Sequence, residues 1–418
     1  MGETIIEKII GRHCGKQVRP GDVIWMDLDV RSARDFGGAN VVEHYRREYG
    51  TAAPPCPESI FFTFDCVVPA NNAAYANNQQ TCRLFARERG LTVYDVDAGI
   101  GSHVLLEKGH IVPGSILVGT DSHLNIVGAI GAFGQGMGDV DIACAFKSGR
   151  TWFEVPKSLR VKLKGSYLFP TSAKDVVLAL LGKIGSAGAL GMAVEFVGKA
   201  ADSMGLAERI TIASMATEMG AIAAFFVPND EVSSFCRKRA NMQTFQVIAP
   251  DVDADYADEI ELNLDGLPPM IAVPFSPSKV RPVAEVESEQ IDSVFFGSCT
   301  NGRFEDFDAV MHVLGNNTIA PHVMAKAVPA TREVFGELIS SGLMEKLFQA
   351  GALISNPGCG GCASGQIGMT GKHEVQISTS NRNFKGKQGQ GRTFLTSPVT
   401  AAACAIAGRI IAPEEVLG

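Results

Sequence analysis

Apolar residues in this chain fall into short blocks that stop at polar clusters, and that alternation predicts an α/β protein. Val23-Ile24-Trp25-Met26 follows the turn Pro20-Gly21-Asp22 and predicts a strand. Ile60-Phe61-Phe62-Thr63-Phe64 predicts the next, ending at Asp65-Cys66. Val93-Tyr94-Asp95-Val96 leads into the loop Gly99-Ile100-Gly101-Ser102-His103, and Ile116-Leu117-Val118-Gly119 ends at Asp121-Ser122-His123. Further on, Val294-Phe295-Phe296 runs into Gly297-Ser298-Cys299-Thr300-Asn301, and Ala352-Leu353-Ile354 runs into Asn356-Pro357-Gly358-Cys359-Gly360-Gly361-Cys362. Polar residues therefore collect where strands stop, which is where open α/β sheets bind ligands. Between these blocks the pattern predicts helices over 4–10, over 81–90 with a closing glycine, and over 175–181 behind the cap Ser172. Leu159-Arg160-Val161-Lys162-Leu163 alternates as a half-exposed strand does. The most membrane-like stretch runs from Ile210 to Val227, but Ser214, Thr217 and Glu218 interrupt it. It predicts a buried helix and no membrane span.

The breaks divide the chain into three α/β units, at 1–154, 155–283 and 284–418. Val155-Pro156 opens the second, and the acidic stretch 251–265 with the proline-bearing 267–282 reads as a domain edge and linker. A length of 418 residues accommodates two or three domains. The net charge of −8 argues against general nucleic-acid binding, so an anionic substrate has to be held by local arginines and lysines. Ten cysteines in a chain of this size do not suggest a disulfide framework. The acidic, amphipathic start does not read as a signal peptide, which points to a reducing cytoplasm. The glycines Gly131, Gly134, Gly136 and Gly138 miss the G-x-G-x-x-G spacing of a dinucleotide loop and predict close packing against a helix instead.

Three cysteines carry the candidate chemistry. Cys359 and Cys362 have C-x-x-C spacing, and Cys299 lies at the end of a separate strand. Together they could hold zinc with a histidine, or an iron–sulfur cluster. A closed zinc site takes four protein ligands and a conventional cluster takes four cysteines, and neither motif contains a fourth. A [4Fe–4S] cluster on three thiolates leaves one iron without a protein ligand; a structural or redox-active C-x-x-C is the simpler alternative. His103 and His123 each end a glycine-rich or polar loop, and Asp121 and Glu218 supply carboxylates able to orient imidazoles. Glu218 sits in an otherwise apolar stretch, where an unpaired carboxylate is costly.

Gly297-Ser298-Cys299-Thr300-Asn301, Cys359-Gly360-Gly361-Cys362 and Ser378-Thr379-Ser380-Asn381-Arg382-Asn383-Phe384 resemble the large subunit of the aconitase-type hydro-lyases, in the isopropylmalate dehydratase and homoaconitase branch. Gly119-Thr120-Asp121-Ser122-His123, Glu107-Lys108-Gly109-His110 and Ser397-Pro398-Val399-Thr400-Ala401-Ala402-Ala403 extend the resemblance over essentially the whole chain. It implies three α/β/α domains around a central iron–sulfur site, without the family's swivelling fourth domain. It implies a [4Fe–4S] cluster on Cys299, Cys359 and Cys362 with one iron free of protein ligands. It pairs His103 with Asp121 and His123 with Glu218 as catalytic groups, and gives Asp65 and the residue after it a part in proton transfer. Ser122, Asn381, Arg382 and Lys387 would contact the substrate.

Three positions depart from the family pattern. Cys66 stands where a histidine is usual, Lys387 where a second arginine is, and Ser214 where an asparagine is, and the resemblance implies that all three touch the substrate region. The implied reaction removes water from a 2-hydroxy di- or tricarboxylate of the isopropylmalate or homocitrate kind, with re-addition if the enzyme isomerises. A dedicated dehydratase of a methylated malate, of the dimethylmalate or citramalate type, is the alternative within the same chemistry. A cluster-free regulatory RNA-binding protein is the alternative outside it. The sequence ends at Gly418 after the third unit, so the resemblance also implies a separate small subunit that carries the swivelling domain and completes the active site.

Overall fold

A computed structural model describes residues 2–362 and 366–417, except the side chain of Cys362. Three mostly parallel sheets dominate it. The first contains, in spatial order, Thr92–Tyr94, Ile60–Thr63, Val30–Arg34, Ile116–Gly119 and Phe133–Gly136, all parallel. In chain order the strands run outward on one side of Val30–Arg34, then return to the other side. The order thus reverses between Val30–Arg34 and Ile116–Gly119, and such a switch point opens a crevice beyond the carboxyl ends of the strands.

The third sheet repeats the device. Its order is Val280–Pro282, Met270–Ala272, Arg392–Thr396, Val375–Ser378, Ser293–Gly297, Met324–Val328 and Leu353–Ile354. The reversal lies between Ser293–Gly297, which leads to Cys299, and Val375–Ser378, which leads to Asn381 and Arg382. The second sheet, Ala223–Phe226, Ala193–Val197, Ser158–Lys164 and Asp258–Asn263, is parallel throughout.

Packing joins the units more closely than the three-way division suggests. One apolar core holds Val30, Phe61 and Leu117 of the first sheet together with Val161, Val194 and Phe226 of the second. The third sheet has its own core, around Val294, Phe296, Ile377 and Leu314. The other face of the first sheet is covered by the helices Gly38–Tyr49, Ala73–Arg89 and Asp139–Ser148, through Tyr45, Phe85 and Phe146.

Several local expectations hold and others need correction. Ser172 and Asp175 form a capping box that starts the helix Ala173–Ile184. The predicted helix ending at Gly90 is longer, beginning at Ala73 behind the cap Asn72. The stretch expected as a linker, 267–282, contributes the strands Met270–Ala272 and Val280–Pro282 to the third sheet, so that sheet begins before residue 284. The acidic stretch before it includes the edge strand Asp258–Asn263, whose charges suit a sheet margin. The apolar stretch from Ile210 is not one helix: it divides into the helix Leu206–Ser214, a short 3-10 turn at Ala216–Met219 and the strand Ala223–Phe226. Among the described residues no helix is long and apolar enough to cross a membrane. The glycine-rich segment does serve close packing, since a Cβ on Gly134 would lie 2.0 Å from the carbonyl oxygen of Leu124 in the 3-10 helix Leu124–Ile130.

Candidate functional site

The two switch points face one cavity of about 530 Å³. Arg34, Asp121, Ser122 and His123 line it from the first sheet, and Cys299, Cys359, Asn381, Arg382 and Lys387 from the third. The turns beside the two cysteines need backbone conformations that favour glycine. Gly297 has φ +145° and Ser298 has φ +81°, and a Cβ on Gly297 would lie 2.5 Å from the Val328 carbonyl oxygen. Gly360 has φ +56°, with a would-be Cβ 2.6 Å from the Phe295 ring. A left-handed serine is uncommon, and such conformations persist where surrounding structure enforces them, often at functional sites.

Both cysteines are buried, and each sulfur meets an N–H donor. Arg34 Nη2 donates to Cys359 Sγ at 2.6 Å, and Asn381 Nδ2 donates to Cys299 Sγ at 3.3 Å. Donors aimed at sulfur suit thiolate ligands. Cys362 follows Cys359 within the short turn Gly360–Cys362, but its side chain lies outside the described residues. This donor set fits an iron–sulfur group: two buried sulfurs, each stabilised by a hydrogen bond, lining one cavity.

Arg34 was not singled out from the sequence, yet it anchors one wall. Its Nε donates to Asp65 Oδ1 at 2.7 Å and its Nη1 to Asp121 Oδ1 at 2.9 Å. Burial opposes its charge, but Asp121 and Asp65 outweigh that and keep it ionised. Burial pushes the Asp65 carboxyl up to about 6, against the pull of Arg34. Burial would raise Asp121 as well, but Arg34 and His123 hold it below the usual carboxylate range. Asp35, Asp65 and Cys66 come close enough together to suggest a metal site. Asp35, however, already accepts four N–H groups, from the backbones of Asp65, Cys66 and Val67 and from Gln79 Nε2. It is a structural anion that ties down the loop after the second strand, which explains its place without a cation.

The opposite wall contains the second network. His123 Nε2 lies 3.1 Å from Glu218 Oε1, the pairing that the family resemblance implies. The same oxygen accepts Arg382 Nε at 2.7 Å, and Arg382 Nη1 reaches Ser122 Oγ at 3.3 Å. Burial would raise the Glu218 carboxyl, but His123 and Arg382 together hold it below its ordinary value. Glu218 comes from the 3-10 turn and not from the interior of a helix. Lys387 lines the cavity without an ion pair or side-chain hydrogen bond among the described residues.

Two expected placements differ. His103 makes no hydrogen bond with Asp121: its Nε2 lies 2.9 Å from the Cys299 carbonyl oxygen, and its Nδ1 is buried without a partner among the described residues. Asp121 is occupied by Arg34 and by the His123 backbone N–H. Burial, then the charge of Arg303, pull His103 down to about 3, so its imidazole is neutral. Ser214 does not line the cavity but braces the Cys299 loop from behind, donating to Thr211 O or Thr300 Oγ1 at 3.0 Å. Cys66 lines the cavity, with Sγ 3.3 Å from Asp65 Oδ1. Its hydrogen bond with Cys359, then burial, push its thiol well up, so it keeps its proton at neutral pH.

Comparison with known proteins identifies the family of the chain as a whole. The model of the aconitase family (aconitate hydratase) matches residues 8–408. The 3-isopropylmalate dehydratase large subunit of Methanoregula boonei is 39% identical, over 100% of both chains. The 3-isopropylmalate dehydratase large subunit 1 of Methanopyrus kandleri is 40% identical, again over 100% of both. The homoaconitase large subunit of Thermus thermophilus is 39% identical over 100% of this chain and 98% of its own. Among solved structures, the holo-form of aconitase X from Thermococcus kodakaraensis shares the fold, with TM-score 0.53 and 12% identity over 91% of this chain and 89% of its own. A family match over nearly the whole length, with relatives of this identity end to end, means that the chain belongs to the aconitase family, and that membership implies an iron–sulfur cluster.

Proposed function

We propose that this chain is the large, catalytic subunit of a hydro-lyase that dehydrates a 2-hydroxy di- or tricarboxylate of the isopropylmalate or homocitrate kind. The observation that carries this is the meeting of cysteine sulfurs, the His123–Glu218 pair and the basic side chains Arg382 and Lys387 at one cavity. Cys299, Cys359 and Cys362 would hold a [4Fe–4S] cluster. When bound, that group supplies a Lewis acid at the iron without a protein ligand, which polarises the C–O bond to be broken.

The chain's own residues supply the rest. Lys387 is a free cation for one substrate carboxylate, and Arg382 retains donors beyond those given to Glu218 and Ser122. Glu218 fixes the ring of His123 through Nε2, leaving Nδ1 beside Ser122 Oγ at 3.4 Å and near the cavity for proton exchange. Asp65 and the protonated Cys66 form the second proton-holding pair, next to Asp121.

The relatives are named as large subunits, and on that likeness we assign the chain a small subunit that closes the cavity and supplies the base at the carbon. The acidic chain, free of disulfides among the described residues, belongs in a reducing cytoplasm in this reading. The test is anaerobic purification with a cognate small subunit, followed by a dehydration assay over malate derivatives. Cluster absorbance and turnover in the complex, with both lost in Cys359→Ser, support the assignment. Full iron content in Cys359→Ser, or normal turnover by the large chain alone, overturns the cluster ligands or the two-subunit arrangement respectively.

A further inference from the structure

Arg34 comes from the first sheet and Cys359 from the loop beyond the third, yet the guanidinium and the sulfur are 2.6 Å apart. Three of the five N–H donors of Arg34 are committed to three acceptors, on three different loops: Asp65, Asp121 and Cys359. The backbone is pinned too, since Arg34 N donates to Thr120 Oγ1 at 2.9 Å. A buried arginine that merely balanced carboxylates would need only the first two contacts. The third places a permanent positive charge on a sulfur that the family reading makes a cluster ligand. No other cationic side chain makes such a contact with Cys359 among the described residues. Arg382 is held on Glu218 instead.

We infer that Arg34 is a positioning residue for the cysteine-held group: anchored on Asp65 and Asp121, it donates to the Cys359 sulfur, fixes that sulfur across the sheet-to-sheet boundary and draws negative charge from it. This rests on the proposal that Cys359 is a cluster ligand. Hydrogen bonds and positive charge at a ligating sulfur raise the reduction potential of a cluster, because they stabilise the extra electron. The fork geometry matters as well as the charge. An ammonium is a point donor on a flexible stem and cannot serve the same three acceptors in a fixed plane.

The experiment uses the anaerobically prepared two-subunit complex with wild-type, Arg34→Lys and Arg34→Gln large chains. Iron and sulfide content, thermal unfolding and the midpoint potential of the cluster are measured on each. The expected order of potentials is wild type, then Arg34→Lys, then Arg34→Gln as the most negative, with faster loss of visible absorbance in air along the same series. An Arg34→Lys chain that melts as wild type does but retains no iron also supports the inference, because the sulfur has then lost its placement and not its fold. If Arg34→Gln does not fold, Arg34→Lys decides alone. An iron-loaded variant with an unchanged potential overturns the inference while leaving the ligand assignment intact. So does an Arg34→Lys chain that fails to fold, since the arginine would then be a structural ion pair. A wild-type complex without iron removes the ligand assignment itself and the inference with it.

Discussion

Asp65 and Glu218 stand behind opposite walls of the cavity, and each accepts an arginine Nε at 2.7 Å. Both are fully buried side chains, so burial alone would raise both. They nevertheless move in opposite directions, Asp65 up to about 6 and Glu218 below its ordinary value. The difference lies in the company each keeps. Glu218 has Arg382 and His123 on the same oxygen and no competing carboxylate among its main influences. Asp65 divides Arg34 with Asp121, and Asp35 adds a further like charge. A shared arginine is thus insufficient alone: Asp121, on the same Arg34, stays low with the added help of His123. The consequence is chemical: one wall keeps a permanent anion that orients an imidazole, while the other holds a carboxyl able to exchange a proton near neutral pH.

The strongest way to break this comparison is to remove the anion that is reckoned permanent. Glu218→Gln keeps the size but leaves Arg382 and His123 without their carboxylate. The expected result in the complex is a fall in kcat of about 10²–10⁴-fold, the range for a positioned acid–base group. A loss of less than about threefold would make Glu218 a packing residue and sink its assigned role.

The next test sets the two carboxylates against each other through pH. An unfolded chain releases the Asp65 proton near pH 4, whereas the folded chain retains it up to about 6. The folded state therefore binds more protons in that window, and this group's contribution to stability falls as pH rises through it. The expected size is on the order of 3 kcal/mol. Glu218 has the reverse sign: its lowered value gives stability that is present above the unfolded value and lost as pH falls through the folded one. Denaturant unfolding of the metal-free chain across pH 3–7 separates them. Asp65→Asn should flatten the slope between about pH 4 and 6, and Glu218→Gln should flatten the acid limb below about 4. If Asp65→Asn leaves the upper slope untouched, the two walls are electrostatically equivalent.

What the sequence disclosed follows the same division. Strand ends that finish in cysteine, histidine or aspartate were legible, because a short apolar block meeting a polar cluster is a strong signal, and the cavity forms where those ends converge. The His123–Glu218 pair was legible through the family motif. Arg34 was not: Val30–Arg34 alternates poorly, and nothing local to an arginine shows that three loops will converge on it. His103 and Asp121 make no hydrogen bond, because the ring turns to the Cys299 carbonyl while Arg34 takes Asp121 Oδ1, and neither contact is visible locally in the sequence. The stretch from Ile210 to Val227 misled because a continuous apolar run has no period to distinguish helix from buried strand. The expected linker proved to hold two strands because Pro268, Pro269, Pro274 and Pro277 fall outside them and Pro282 ends the outermost one.

The smallest expected effect bears on substrate choice, at the two departures from the family pattern that line the cavity. Cys66 holds its proton at neutral pH, because the hydrogen bond with Cys359 and burial both disfavour the thiolate. A thiol is a weaker hydrogen-bond partner than an imidazole, so the wall around Asp65 offers a less directional contact than a histidine there would. Lys387 presents a charge with no counter-ion among the described residues, and a point charge tolerates more than one carboxylate position where an arginine fork would fix one. Both changes loosen the same cavity, so they favour a substrate whose carboxylate or hydroxyl sits away from the position that a histidine and a second arginine would define. Cys66→His and Lys387→Arg should then shift relative kcat/KM among malate derivatives by about tenfold, the size of a modest change in pocket contacts. The panel compares an isopropyl-substituted, a dimethyl-substituted and a methyl-substituted malate with homocitrate, in the two-subunit complex. A gain on isopropylmalate or homocitrate at the expense of the smaller acids would identify the two residues as specificity determinants for a methylated malate. An unchanged ranking in both variants would return the substrate to the isopropylmalate and homocitrate class and leave specificity to the partner subunit.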